Sequence, residues 1–156
     1  MKVDSKFFYY WKDYVKQSFY AGIILFLISI LLPKYPVLIA SIGSSAFILF
    51  AMPNNRSSDS KQILAGHFLG FFAGVCFAVF PFMEFVFFNA LWFSLSVVIT
   101  IFLMIILDIE HPPAVGTALG MVIYGYSNFL AIVFILSVLI LSSISHVTKP
   151  YLRDLV

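Results

Sequence analysis

Long stretches without a charged side chain dominate this chain, and short polar segments separate them. Asp, Glu, Lys and Arg are absent from residues 17–33, 35–55, 62–83, 85–107 and 112–148. A helix needs roughly 20 apolar residues to cross the hydrocarbon layer of a bilayer. The last stretch is too long for one span and is interrupted near YGYSN, residues 124–128, so it holds two elements. The pattern therefore predicts six hydrophobic segments, at 17–32, 37–52, 63–82, 88–107, 113–125 and 128–147.

Two of the six segments, 37–52 and 113–125, are short and rich in Gly, Ser and Ala. A shift of 73 residues aligns IGSSAFILF (42–50) with VGTALGMVI (115–123). Each half of the chain would then hold a helix, a short helix and a helix, and three crossings per half give an inverted repeat like that of many transporters. The alternative is that the two segments match only because membrane segments share a composition. The predicted fold is an all-α membrane protein, a compact bundle of four to six transmembrane segments that include two short helices or half-helices.

The positions of the basic residues discriminate between four and six crossings. Short cytoplasmic loops are enriched in Lys and Arg. With six crossings, the basic N-terminal region, the loop with Arg56 and Lys61, and the tail with Lys149 and Arg153 share one side, and only Lys34 lies opposite. With four crossings and two re-entrant segments, Arg56 and Lys61 would join Lys34. We therefore favour six crossings with a cytoplasmic N-terminus.

Composition supports a chain that lies almost wholly in the membrane, because 62% of its residues are hydrophobic and only 10% are charged. Lysines and aromatic rings alternate over residues 1–16, a mixture typical of a helix at the membrane surface. We predict an interfacial amphipathic segment at 1–16, a transmembrane domain at 17–148 and a short polar tail at 149–156. A net charge of +2 is too small to indicate a polyanionic partner, so we expect the lipid bilayer as partner and exclude nucleic acid.

Small residues recur at helical spacing in two segments of the chain. Every fourth residue is glycine at Gly66, Gly70 and Gly74, and again at Gly116 and Gly120. This spacing lets helix backbones approach closely, within one chain or between copies. We therefore expect tight helix packing and a homo-oligomer. The thin face formed by Gly43, Ser44 and Ser45 would let the two short segments lie together in the protein interior, packed or beside a pore.

The segment DIEHPPAVGTALG, residues 108–120, places polar residues before the fifth hydrophobic segment. Proline is tolerated at the first helical positions, so a helix should begin at Pro112 or Pro113. The amides near Ala114 and Val115 should then be free, and a helix N-terminus attracts anions. Thr117 adds a hydroxyl one turn inside. Asp108 and Glu110 would repel an anion unless they point outward, cap the helix or hold a proton.

His67 and His111 are the ionisable side chains expected near the depth of transport, where such groups are functional candidates. The alternative is that each donates a hydrogen bond between helices. Together with Asp108 and Glu110 they could form a metal site, but no short ligand spacing occurs, so we predict no metal and no other cofactor. Ser44 and Ser45 lack a motif for nucleophilic catalysis, and we expect no enzyme.

The chain resembles the HPP family of small integral membrane proteins, whose His-Pro-Pro signature stands here at residues 111–113. Three blocks follow the family's order: SIGSSAFILFAMP (41–53), KQILAGHFLG (61–70) and HPPAVGTAL (111–119). Lys61 and Gln62 stand where the family often has arginine and asparagine. The resemblance implies four transmembrane helices, in tension with the six segments above. It also implies a relation to plant chloroplast members associated with nitrite transport, and a location in the inner membrane of a bacterium.

The resemblance and the expected helix start together predict a transporter or channel-like permease for a small inorganic anion, with nitrite the leading candidate. A proton on His111, and on His67, would compensate the anion's charge. The alternatives are a membrane metalloprotein or enzyme that uses these two histidines, and a structural membrane protein without transport. The predicted anion-binding residues are His111, Pro112, Pro113, Ala114, Val115, Gly116, Thr117, His67, Gly43, Ser44, Ser45 and Lys61.

Overall fold

A computed structural model describes residues 4–80 and 85–156, and these residues form six α-helices and no strand. The helices are α1 (Ser5–Leu31), α2 (Pro36–Ala51), α3 (Ser60–Ala78), α4 (Val86–Ile106), α5 (Ala114–Tyr124) and α6 (Asn128–Thr148). Short 3-10 turns follow α2 at Arg56–Ser58 and α6 at Lys149–Tyr151. The predicted all-α bundle is confirmed. Residues 81 and 82, the expected end of the third segment, lie outside the described residues.

Local sequence signals explain most helix ends. Asp4 caps α1 by accepting from the Lys6 amide at 3.0 Å, and Ser127 caps α6 by accepting from the Leu130 amide at 3.1 Å. Pro36 occupies the first turn of α2, where its missing N–H costs no helical bond. α5 ends at Gly125, whose φ of +72° is readily available only to glycine.

Hydrogen bonds join residues of different helices at one end of the bundle, which we call the charged end. The Arg153 amide donates to Gln17 Oε1 at 2.8 Å, the Leu155 amide donates to the Ala51 carbonyl at 2.9 Å, and the Glu110 amide donates to Gln62 Oε1 at 2.7 Å. α1, α3 and α5 therefore begin at this charged end, and α2, α4 and α6 end there.

The opposite end of the bundle is held by α2 and α5. The Val37 amide donates to the Tyr124 hydroxyl at 3.2 Å, and the Tyr35 and Tyr124 rings meet edge to face with centroids 5.2 Å apart. Lys34 is the one described lysine or arginine at this end. The positive-inside rule associates this charge asymmetry with a charged end that faces the cytoplasm. The cytoplasmic N-terminus stays a prediction.

Helix length distinguishes four members of the bundle from the other two. α1, α3, α4 and α6 are long and apolar enough to cross a membrane. α2 has 16 residues and α5 has 11, which correspond to about 24 Å and about 16 Å. Each half of the chain thus contains a long, a short and a long helix, as the six-segment pattern predicts. The inverted repeat and the six crossings stay predictions.

The short helix α5 lies inside the bundle because glycines on α3 and on α5 itself allow its neighbours to approach closely. A Cβ added to Gly70 of α3 would lie 2.2 Å from the Ala114 carbonyl oxygen, and one added to Gly74 would lie 2.5 Å from the Ala118 carbonyl oxygen. On its other side, Gly120 of α5 faces Leu38 of α2, where an added Cβ would be 2.5 Å from Leu38 Cδ2. The predicted tight packing is therefore confirmed.

A kink at Tyr10 separates the first turns of α1 from the rest of the helix. α1 runs from Ser5 to Leu31, although Tyr10 has a non-helical backbone (φ −122°, ψ 21°). Tyr9 and Trp11 are exposed beside it, as expected for side chains among lipid headgroups. The division into an interfacial segment at 1–16, a domain at 17–148 and a tail at 149–156 stays a prediction.

Candidate functional site

Five polar side chains meet in the interior of the bundle, where α2, α3 and α5 pack together. They are Ser41 and Ser45 of α2, His67 of α3, His111 before α5, and Thr117 of α5, and none is more than 4% exposed. We call this set the polar cluster. Because each buried polar group needs a hydrogen-bond partner, the members of the cluster depend on one another.

The centre of the polar cluster is a pair of imidazole rings bridged by a hydroxyl. Nε2 of His67 and Nε2 of His111 are 3.3 Å apart. Ser45 Oγ lies 2.8 Å from each of these two nitrogens. The two rings meet at an angle of 63° with centroids 4.8 Å apart, so their edges rather than their faces converge on Ser45.

Two arms connect this centre to backbone carbonyls. His67 Nδ1 is 2.7 Å from Thr117 Oγ1, which is 2.9 Å from Ser41 Oγ, and Ser41 Oγ donates to the Pro113 carbonyl at 2.6 Å. On the other side, His111 Nδ1 donates to the Ser57 carbonyl at 3.0 Å. A continuous hydrogen-bonded chain therefore runs from the Pro113 carbonyl to the Ser57 carbonyl.

Glycine and proline positions explain how the sequence brings these residues together. A Cβ added to Gly66 would lie 2.6 Å from His111 Cβ, so only glycine lets His111 approach α3 next to His67. The prolines at 112 and 113 form a turn ahead of α5, and their nitrogens have no proton to satisfy. Pro113 is buried, and its carbonyl lies against α2 where Ser41 reaches it.

The amides at the start of α5 are not free, and the expectation that they would be was wrong. The Ala114 amide donates to the His111 carbonyl at 3.0 Å, the Val115 amide to the Pro112 carbonyl at 3.1 Å and the Gly116 amide to the Pro113 carbonyl at 3.0 Å. The turn formed by residues 111–113 supplies these acceptors just ahead of the helix. Anion binding in this region stays a prediction, but it cannot use unpaired amides.

Five of the predicted residues line an open groove between α2 and α5: Ser44, Pro112, Pro113, Val115 and Gly116. The groove has a volume of about 660 Å³, and its walls are mostly apolar. Ser41 also lines it, so the arm of the polar cluster that ends at Ser41 reaches the groove. Ser44 Oγ donates to Ala40 of its own helix at 3.0 Å.

Three predicted residues lie away from both the polar cluster and the groove. Gly43 faces α1, where an added Cβ would be 3.1 Å from Leu25 Cδ1. Lys61 is exposed at the charged end, beside a polar pocket of about 560 Å³ that also contains Asp59 and Lys149. Ala114 is buried and packs against Gly70 of α3.

Sequence reasoning missed Ser41 and the Ser57 carbonyl. Ser41 stands four residues before Ser45, so both point from the same face of α2, and this spacing is the signal that could have identified it. Ser57 contributes through its backbone, so no side-chain pattern could have indicated it. Asp108 and Glu110 are exposed. Their carboxylates therefore meet the expectation that they point outward, where they do not repel an anion.

An ion pair at the charged end is formed by residues that lie close in sequence to Ser57 and His111, the two partners of the second arm. Arg56 precedes Ser57, and Asp108 precedes His111 by three residues. Arg56 Nη1 donates to Asp108 Oδ1 at 2.9 Å, and Arg56 Nη2 donates to the Asp108 carboxylate and to its backbone carbonyl. Asp108 has a φ of +54°, which Asp adopts more readily than most residues. The hydrogen bonds and charge of Arg56 lower the pKa of Asp108.

We expect Arg56→Gln to raise the pKa of Asp108 towards its ordinary value, because the substitution removes the cation and the bidentate hydrogen bonds. Since the folded-state pKa of Asp108 is depressed, its stabilising contribution is present at neutral pH and is lost as the pH falls through that folded value. Carboxyl ¹³C NMR of the purified protein measures the shift. Arg153→Gln, at the separate ion pair with Asp13, is the control and should leave Asp108 unchanged. An unchanged Asp108 titration in Arg56→Gln contradicts the prediction.

The family profile described as HPP, transmembrane region, matches residues 10–153. The chain belongs to the HPP family. Neither curated proteins nor solved structures give a significant match. The HPP match spans all six helices and therefore includes the polar cluster and the groove. Family membership and the four long apolar helices make this HPP protein an integral membrane protein.

Proposed function

We propose that this HPP protein is a permease for a small inorganic anion, with nitrite the leading candidate, and that a proton on the buried histidines compensates the anion's charge. The observation that carries the proposal is the continuous polar chain through an apolar interior. α2 and α5, which carry Ser41, Ser45 and Thr117, contain no Asp, Glu, Lys, Arg or His. A hydrogen-bonded chain with two titratable rings is costly to bury, and such residues in membrane segments mark ion pathways and proton relays.

Charge compensation supports an anion as the partner of that proton. A lone anion or a lone proton in an apolar interior carries a large desolvation cost. When both enter together, the pair is neutral, and their attraction in a medium of low dielectric constant offsets part of that cost. A hydrogen-bonded series of side chains that contains no fixed counter-ion is suited to moving the anion and the proton together.

The groove between α2 and α5 is the proposed route of the anion to the polar cluster. Its polar wall contains the hydroxyl of Ser41, which is also a member of the cluster. The start of α5 points its positive dipole end towards this region, which favours an anion even though the amides are paired. Pro112, Val115 and Gly116 would contact the anion from the helix start, and Ser44 from α2.

The exposed position of the groove supports a homo-oligomer. The groove opens on the outer surface of the bundle between α2 and α5, and Ser44 and Pro112 in its walls are exposed. An anion in such a groove would meet lipid on one side. A second copy of the chain would close the route, and the proposed oligomer therefore belongs to the same hypothesis.

The test is uptake of nitrite into proteoliposomes under an inward proton gradient. We expect the wild-type protein to increase uptake above that of protein-free liposomes, with formate, nitrate and chloride measured in parallel to define selectivity. His111→Ala should reduce the pH-dependent uptake to the protein-free level, because the compensating proton loses its site. His146→Ala, at an exposed histidine near the end of α6, is the matched control and should transport normally. Undiminished uptake in His111→Ala would remove the proton role, and absence of flux for every anion would contradict the permease.

A further inference from the structure

The polar cluster is one proton short when both of its histidines are neutral. A backbone carbonyl can only accept a hydrogen bond. Both arms of the cluster end on such carbonyls, at Pro113 and at Ser57. The two ends therefore determine the direction of every hydrogen bond between them.

The first arm assigns the tautomer of His67. Ser41 Oγ, 2.6 Å from the Pro113 carbonyl, must use its only proton there, so it accepts from Thr117 Oγ1 at 2.9 Å. Thr117 has then used its own proton and accepts from His67 Nδ1 at 2.7 Å. A neutral His67 that carries its proton on Nδ1 has a lone pair on Nε2.

The second arm assigns His111 in the same way. Its Nδ1 is 3.0 Å from the Ser57 carbonyl, so the proton of a neutral His111 lies on Nδ1 and the lone pair on Nε2. Two lone pairs thus face each other across 3.3 Å. Ser45 is the nearby donor, at 2.8 Å from both nitrogens, but its single proton serves only one of them. One buried nitrogen is left without a donor, which costs about 1–3 kcal/mol.

We propose that His67 and His111 together bind one proton, held between their two Nε2 atoms. One added proton completes the hydrogen bonding of the cluster: it bonds to one Nε2, which donates to Ser45 Oγ at 2.8 Å, and the Ser45 hydroxyl donates to the other Nε2 at 2.8 Å. A second proton would place two positive charges within 3.3 Å of each other in a low-dielectric interior, where their repulsion opposes its binding. The pair is therefore a one-proton site.

The surroundings determine when this proton is bound. α2 and α4 carry no titratable side chain, α5 carries only Tyr124 at the far end, and α6 carries only His146 near its own end. On the side of His67, α6 presents the ring of Phe134, with centroids 5.8 Å apart. The charged end contributes Arg56, already paired with Asp108.

At the charged end, Lys61, Asp59, Glu110 and Lys149 are also charged, and all four are at least partly exposed. No carboxylate of the described residues thus lies beside the two rings as a fixed counter-charge. A proton held there requires a mobile anion close by, and this is the coupling that the permease needs. The proton's role in coupling rests on the function proposed above, whereas the one-proton site follows from the donor count alone.

The test counts the protons that the purified full-length protein takes up between about pH 8 and about pH 4, by potentiometric titration against matched variants. We expect His67→Gln and His111→Gln each to take up one proton fewer than the wild type, and the double variant also to take up only one fewer. His146→Gln, at a histidine outside the cluster, is the control, and combining it with a cluster variant should leave the one-proton loss from the cluster unchanged. A double variant that loses two protons, or none, overturns the proposal.

Two further measurements keep the proposal testable if a histidine variant does not fold. Ser45→Ala retains both rings, whose Nε2 atoms can share the proton directly across 3.3 Å, so it should keep the full proton count, and loss of the proton in that variant overturns proton binding by the two rings. In the wild type, ¹⁵N NMR of the histidine side chains should show the Nε2 signals of His67 and His111 moving together in a single titration step, and two separate steps contradict the shared site. One bound metal ion per purified chain by elemental analysis would also overturn it. A one-proton count without anion flux would reject the permease and retain the proton site. Anion flux without the one-proton count would retain the permease and reject the proton site.

Discussion

Gly70→Ala should destabilise the bundle by about 3 kcal/mol or more, one of the largest effects of any single methyl group in this chain. The added Cβ would lie 2.2 Å from the Ala114 carbonyl oxygen, 3.1 Å from the Ala114 carbonyl carbon and 3.2 Å from Thr117 Cβ. Two of these atoms belong to the backbone of α5, so no side-chain rotation relieves the overlap. α3 and α5 would have to separate, and His67 would move away from Thr117.

The control for Gly70→Ala is the same substitution in α1. A Cβ added to Gly22 meets no atom within 4 Å, and alanine favours a helix over glycine by about 1 kcal/mol. Gly22→Ala should therefore be neutral or stabilising. Thermal unfolding in detergent, followed by circular dichroism, measures both variants, and the prediction fails if Gly70→Ala unfolds at the temperature of Gly22→Ala. Gly43→Ala should fall between them, because the atom it meets is the mobile end of Leu25.

Thr117→Val should reduce the free energy of unfolding by about 1–3 kcal/mol, although the two side chains have almost the same shape. Thr117 Oγ1 is the partner of His67 Nδ1 at 2.7 Å and of Ser41 Oγ at 2.9 Å. Valine would leave a buried N–H without an acceptor and would disconnect the histidine pair from the groove. We therefore expect a loss of stability together with a loss of proton-coupled uptake.

Thr100→Val is the matched control for this substitution. Thr100 is fully buried like Thr117, but its hydroxyl donates to the Ser96 carbonyl of its own helix at 2.7 Å. That carbonyl already takes part in the helix, so loss of the hydroxyl should cost much less. Chemical denaturation of the two variants gives the comparison. Equal losses would mean that the polar cluster adds no stability beyond that of an ordinary buried hydroxyl.

The class of the fold was predictable because it depends on properties that act along the chain. Charge-free stretches of membrane-spanning length determine where helices can lie, and all six predicted segments contain a helix. The glycine spacing at Gly66, Gly70 and Gly74 indicated the face of α3 that packs closely, and the structure places α5 on that face. Both inferences use helical periodicity alone, and they do not require knowledge of which helices are neighbours.

The candidate site was only partly predictable, because its chemistry depends on neighbours that are distant in sequence. His67, His111, Ser45 and Thr117 were identified as polar residues in apolar segments, and the structure brings them together. Gly43 shared the same motif as Ser45, but it points to α1 instead. The direction in which a residue faces depends on helix rotation within the bundle, which a single segment does not reveal.

The sequence by itself determined a membrane protein with long and short apolar helices, because hydrophobicity and small-residue spacing are local physical properties of each segment. Only the tertiary structure decided the state of the groups at the helix start. It showed that the turn at residues 111–113 supplies acceptors for the amides of α5. It also set two carbonyls at the ends of one hydrogen-bonded chain. Hydrogen-bond direction depends on which donor meets which acceptor, and that pairing exists only after α2, α3 and α5 have packed.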